Sequence, residues 1–512
     1  SAVDAIRSAM KATALGTLTA ALCASVAYGS LAATDFRGFR QFGVVGGLGM
    51  LLCWVASYTL LPALLVLAER WAPLPSDQGS WQNRMRGLYG RPFAYLASRV
   101  PRLCLAFGAL TFTGALVLAV RYAARDPLEY DLTHVRNDAP DANSSRQVAR
   151  RINNVVNRAT RDGRALVADR LDQVAPLIAE LERRRDAAPA DRKPFERVLS
   201  VFDLLPREQP EKIALVSQIM DLVQRARRRG TISDEEWQKL APELPASLKP
   251  LTIADLPSDV AWPFEEADGT RGRVVYLVPT AGRSVNDAHY LMQWADAFRE
   301  VRLQSGEVIR GSGDPVIFAD MLLSVREDAP KALGLALSGT FLVIVLAFRS
   351  RRSALLAFGS LVLSLVWLVA FLALVEMRIN FLNFVALPIS VGVGADYAVN
   401  VMRRYELERG QRLGRVLVET GGALVLCSLT TLLGYGALSF SINGAVRSFG
   451  IAAAAGEICM LLAAVLVLPA ALVAGQSSSA RRSRHANRAQ YLSGRGLYQQ
   501  PVSAAERLAS DG

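Results

Sequence analysis

Eight stretches of this 512-residue chain are long, apolar and almost free of charge, at roughly 12–33, 44–68, 103–121, 332–348, 353–375, 379–402, 420–441 and 450–474. Backbone in hydrocarbon finds no water to bond, so each stretch must close its hydrogen bonds on itself as a helix; about 20 residues cross a bilayer core of ~30 Å. The predicted fold class is therefore a multi-span α-helical membrane protein with eight spans present. The fourth run sits at the short limit and is predicted to continue a helix that enters from the polar side, over Pro315 to Glu327. Hydrophobic residues make up 51% of the chain and are concentrated in these runs.

Positive residues set the orientation. The formal net charge is +12. Arginines crowd the loop at 69–102 (Arg70, Arg84, Arg86, Arg91, Arg99, Arg102) and the turn Arg349, Arg351, Arg352. They also crowd the exit of the sixth span (Arg403, Arg404, Arg409, Arg412, Arg415) and the tail at Arg481, Arg482 and Arg484. With alternating spans all four lie on one side, which positive charge makes the cytoplasm. The short loops 34–43, 376–378 and 442–449 and the long segment 122–331 then lie outside, in a periplasm. The charge reads as a topology signal and not as nucleic-acid binding.

The outside segment reads as α/β. Strands are predicted at 165–168, 198–202, 274–278 and 307–310, with helices over Leu171–Arg185 and Asp287–Arg302. Val174, Leu177, Ile178 and Leu181 recur on one helical face. A helical insert, Glu211 to Arg229, is followed by the capping box Ser233–Glu236. Two strand–helix–strand units suggest a ferredoxin-like porter domain. Residues 476–512 are polar and read as a disordered cytoplasmic tail. The five cysteines all fall in apolar runs, so no disulfide framework is expected.

The first two spans recur in the last two at a constant offset of 407, the distance from Tyr28 to Tyr435. Tyr28-Gly29 matches Tyr435-Gly436, Arg40 to Gly43 matches Arg447 to Gly450, and Leu61-Pro62-Ala63 matches Leu468-Pro469-Ala470. Shared composition does not register Arg, Gly and Pro in this way; duplication does, and internal repeats are common in secondary transporters. On this reading residues 1–68 close one repeat, 69–102 is a cytoplasmic linker, 103–121 opens the next, 122–331 is its porter domain and 332–475 its five-span bundle. The chain opens at Ser1 just before a span and is expected to be the carboxy-terminal part of something longer.

The sixth span carries Asp396. A carboxylate near mid-membrane costs about 2.5–3.5 kcal/mol on insertion scales. Such a group is tolerated when protonated and demands a donor when ionised, so two states with different partners make a switch. Tyr397 is the adjacent donor. Gly392 and Gly394 remove side chains beside it, for function or for ordinary close packing, and Pro388 is expected to free a carbonyl and kink the helix. Asn400 lies one turn on, either sharing the Asp396 face or solvated. Ser428, Thr430 and Thr431 are candidate partners from the seventh span, against the plainer reading that they bond their own helix. Glu457 in the last span is either a second titrating group or a side chain facing water. Arg37, Arg40 and Arg447 read as interfacial anchors.

Soluble-enzyme readings fail. His134, His289 and His485 lack metal-ligand spacing, and neither a phosphate-binding Gly-Lys-Ser/Thr loop nor a nucleophile elbow is present.

The Gly-x-x-x-Asp-Tyr pattern at Gly392–Tyr397, the helix exit Arg404-Tyr405-Glu406, the stretch 35–43 and the ending Leu61–Leu65 resemble the resistance–nodulation–division superfamily, and within it the mycobacterial-membrane-protein-large branch. Pro127 to Asp131 resembles the subgroup with hopanoid exporters. The resemblance covers about residues 1–475. It implies a twelve-span, proton-driven exporter with two porter domains, monomeric or homo-oligomeric by branch. Lipid-exporting members carry Asp-Tyr pairs in spans four and ten; Asp396-Tyr397 matches the tenth, and the fourth-span pair and first porter domain lie outside this chain. The expected function is export of hydrophobic, lipid-like cargo such as hopanoids from the inner membrane toward the outer envelope. Membrane lipids and the missing amino-terminal half are the expected partners, nucleic acid is not, and protons take the place of a cofactor. The alternatives are a drug or siderophore exporter and a non-transporting lipid-binding or sterol-sensing-like scaffold.

Overall fold

The computed structural model describes residues 2–71, 90–135, 164–245, 248–280, 282–408 and 413–475, with isolated positions between 144 and 151. The expected tail, the arginines at 84, 86, 409 and 412 and much of the stretch 136–163 lie outside the described residues. In chain order the helices and strands used below are α1 (Ala2–Gly29), α2 (Arg37–Trp71), α3 (Arg91–Arg99), α4 (Pro101–Ala124), β1 (Arg164–Val167), α5 (Val174–Ala187), β2 (Arg197–Ser200), α6 (Gln209–Arg228), α7 (Asp234–Leu240), β3 (Val274–Val278), α8 (Ala288–Arg299), β4 (Glu300–Arg302), β5 (Val308–Arg310), α9 (Asp314–Ala347), α10 (Arg351–Leu374), α11 (Ala386–Leu407), α12 (Leu413–Leu438) and α13 (Gly444–Leu462).

Among the described residues eight helices are long and apolar enough to cross a membrane, matching the eight runs read from the sequence. The fourth is the long helix Asp314–Ala347, so the short apolar run is indeed the end of a helix that begins in polar sequence. The last continues past α13 through a π-helical stretch, Ala463–Val467, to residue 475. Pro469 has no N–H to offer the carbonyl of Val465, four residues back, which is where the regular ladder gives way.

The chain divides into two compact units, the membrane helices and a second unit of residues 130–133 and 139–321. Within the membrane unit burial is graded. Of the most apolar 18 residues of Asn383–Leu407, which contains α11, 78% are buried by protein, against none of the corresponding stretch of α2. The helix with the carboxylate is thus the axis of the bundle, and α2 keeps an apolar flank for lipid.

Equivalent residues of the two repeats make the same contacts. Tyr28 meets Phe42 at 6.2 Å between ring centroids, and their counterparts Tyr435 and Phe449 meet at 6.0 Å. Gly43 sits against Leu31 and Ala32, and Gly450 against Leu438 and Ser439, which are the residues 407 positions on. At both crossings backbone lies where a side chain would be, so glycine is required by space and not by φ.

In the second unit β1, β3 and β2 form an antiparallel sheet in the order β1-β3-β2. β3 is inserted between two strands that run parallel to each other, the arrangement of a split strand–helix–strand unit. The predicted face of α5 holds: Val174, Leu177 and Leu181 are fully buried. The expected fourth strand does not join this sheet. Residues 308–310 pair with Glu300–Arg302 as a separate hairpin, where the sequence reading had the last turn of a helix. Gly306, at φ 87°, makes the turn that folds one onto the other, and alternation in Glu-Val-Arg buries Val301 between exposed charges.

A charged network ties α5 to that hairpin. Glu180 accepts from Arg183 at 2.7 Å and from Arg184 at 3.0 Å, and Arg184 donates to the carbonyls of Ala297 and Glu300. The Arg183 guanidinium, with Arg184 beside it, holds the Glu180 carboxyl below its ordinary 4.5, at about 2. A depressed carboxyl contributes stability above its unfolded value and loses it as pH falls through the folded one. We expect protection of α5 and the hairpin in hydrogen exchange to fall between pH 4.5 and about 2. Glu180→Gln is expected to be less protected at neutral pH and to lack that acid step.

Candidate functional site in the membrane bundle

The Asp-bearing helix is positioned by what its sequence omits. A Cβ on Gly392 would lie 3.0 Å from Ala24 Cα and 3.1 Å from Ala27 Cβ, so this glycine lets α1 close on α11. A Cβ on Gly394 would strike Met460 Sδ and Leu361, so the second glycine admits α13 and α10 on another side. Pro388 lies in the first turn of α11, where a missing N–H costs no internal bond.

Asp396 Oδ1 accepts from Asn400 Nδ2 at 2.6 Å, one turn along the same face. Of the two readings for Asn400, the structure shows the one in which it shares the face of Asp396. A cavity of about 440 Å³ reaches Asn400, lined also by Lys11 and Gly16 of α1, Arg403 and Glu406 of α11, and Thr420 of α12. It lies toward the arginine-rich end of α11. There Arg403 donates to the carbonyl of Ala347 and stacks over Phe348 at 4.8 Å, fixing the end of α9.

Tyr397 points elsewhere. Its hydroxyl donates to Glu457 Oε1 of α13, and Tyr397 and Glu457 are only 1% and 2% exposed. The water-facing alternative for Glu457 therefore does not hold. Gly456 makes the contact possible, because a Cβ there would meet Ser390 Oγ at 2.5 Å. Ser428 is fully buried beside the pair. Thr430 and Thr431 instead donate to the carbonyl of Cys427 in their own helix, at 2.7 and 3.1 Å, and take no part in the cluster. That back-bonding satisfies a hydroxyl on a helix flank without a tertiary partner.

Sequence reasoning thus named the residues but joined Asp396 and Tyr397 into one pair. Adjacent residues on a helix point about 100° apart, so the two serve different neighbours. Neither Asp396 nor Glu457 forms an ion pair among the described residues. Two carboxyls in the bundle without a cation make a site suited to binding and releasing protons, and no cluster of metal-ligating side chains is found among the described residues.

A profile of the MMPL family matches residues 1–100 and 254–504, more than half of the sequence. The chain belongs to the MMPL family. Hopanoid transporter HpnN of Rhodopseudomonas palustris is 23% identical to this MMPL chain over 490 residues, covering 88% of the chain and 55% of the relative. A putative membrane protein of Methanocaldococcus jannaschii is 21% identical over 184 residues, 35% of the chain and 47% of that protein. The chain spans about half the length of the curated relatives it matches. Among solved structures, the hedgehog release protein Disp of the water bear Hypsibius dujardini shares the fold. Its TM-score is 0.53 at 15% identity, over 91% of this chain and 59% of that one.

Proposed function

We propose that this MMPL chain is part of a proton-driven exporter of hydrophobic, lipid-like molecules, with Asp396 as the coupling carboxyl. The observation that carries the reading is the setting of Asp396. It sits on the most buried helix of the bundle, with no ion pair among the described residues, with one amide donor and a cavity leading to that donor from the arginine-rich end. A carboxyl so placed is stable in oil when neutral and, when ionised, demands donors or water, so protonation favours one packing of α11 over another. The cavity supplies the cytoplasmic arm of the path. The arginine distribution supports an inner-membrane protein with residues 122–331 in the periplasm. The likeness to a protein named for hopanoid transport supports a polycyclic lipid as cargo.

The test uses the full-length protein in liposomes with an imposed pH gradient. Proton entry and transfer of a hopanoid to acceptor vesicles are followed together. Both are expected to rise with the gradient and to stop when it is collapsed. Lipid transfer that ignores the gradient would leave a lipid-binding scaffold as the better description.

A further inference from the structure

The two repeats differ at one buried point. Counting back 407 positions, Glu457 corresponds to Met50 and Ser428 to Ala21. The equivalents of Glu457 and Ser428 are thus apolar, although the glycine before the carboxyl has its counterpart in Gly49.

In that cluster Glu457 Oε1 accepts from the Tyr397 hydroxyl, while Glu457 Oε2 and Ser428 Oγ are both buried and make no well-formed hydrogen bond among the described residues, although Ser428 stands close enough to act on the Glu457 carboxyl. The groups facing it carry no compensating charge. From α11 come Asp396 and Tyr397, and from α12 Cys427, Ser428 and Tyr435. An unpaired buried carboxylate is costly, and removing one partner of such a group leaves the full penalty in place.

We infer that Glu457 is a second proton-binding carboxyl, present in one repeat only and served by Tyr397 and Ser428. When the proton is on Oε2, the new O–H donates to Ser428 Oγ. When it leaves, the Ser428 hydroxyl turns and donates to Oε2, so the carboxylate keeps two donors. Either state is satisfied with the same three side chains, which a methionine and an alanine cannot do. The inference deepens the proton-coupled reading, yet its test needs no transport.

The experiment is infrared difference spectroscopy of the full-length protein in nanodiscs across a pH titration, following the carbonyl stretch of protonated carboxyls. One band is expected to vanish completely in Glu457→Gln, to persist in Asp396→Asn and to shift in Ser428→Ala. Glu457→Met, which installs the residue of the other repeat, serves if the Gln variant does not fold. A spectrum unchanged by either substitution at 457, or a Glu457 carboxyl ionised throughout the titration, overturns the inference. Those results leave the Asp396 reading standing; transport retained by Asp396→Asn would remove that reading and leave this one.

Discussion

Asp396→Asn in the full-length protein is expected to drop the proposed gradient-driven export to background, at least about 100-fold below wild type, equivalent to ~2.7 kcal/mol of lost drive. The side chain keeps its shape, and its amide oxygen still accepts from Asn400, so the bundle folds and reaches the membrane. What disappears is the choice between two protonation states. Moving a two-state equilibrium from 1:99 to 99:1 takes about 5.5 kcal/mol of differential binding, and an amide that binds no proton in either state supplies none. Asn400→Ala is the milder companion. It removes a hydrogen bond to a charged group, worth about 1.5–3 kcal/mol, and is expected to cost roughly tenfold. Export is measured at matched membrane abundance. Wild-type export by Asp396→Asn would end the coupling assignment.

Gly450→Val is expected to unfold the crossing of α12 and α13. The added Cβ alone would lie 2.8 Å from Leu438 Cβ, Ser439 N and Tyr435 O. Two of those atoms are backbone and cannot swing aside, so relief requires the helices to part and take the Glu457 cluster with them. Overpacking of this kind costs about 3 kcal/mol or more. Gly43→Val is expected to do the same at the repeated crossing of α1 and α2, where the new atom would meet Ala32 N at 2.5 Å and Leu31 C at 2.8 Å. Gly434→Ala and Gly436→Ala are the controls. Nothing lies within 4 Å of a Cβ at either position, and alanine gains up to about 1 kcal/mol of helix propensity over glycine. Thermal unfolding in detergent should separate the two pairs clearly; equal midpoints for Gly450→Val and Gly434→Ala would refute the crossing argument.

Much of this protein was legible in one dimension because hydrocarbon leaves the backbone few choices. A long uncharged run must be a helix. All eight spans could be read that way, and α9 could be seen to begin before its apolar part. The repeat was legible too, since duplication preserves register: Gly43 and Gly450 mark the same crossing whether or not the crossing has been seen. The sequence also singled out Asp396, by the cost of a carboxyl in oil.

Tertiary structure decided which polar groups meet. Helical periodicity says that Asp396 and Tyr397 diverge, but only packing says that one is held by Asn400, which lines a cavity, while the other reaches Glu457, 60 residues away. Ser428 and Thr431 are one turn apart and look alike in a list of hydroxyls. Burial beside the carboxyl distinguishes the first, and a free flank lets the second bond its own helix. The hairpin of β4 and β5 has the same origin: Glu300 to Arg302 can end a helix or pair as a strand, and the turn at Gly306 settles it through contacts no local propensity contains. A chain spells out its own periodicities and costly residues; which costly residue is answered by which partner depends on distances between segments, and those exist only once the helices have packed.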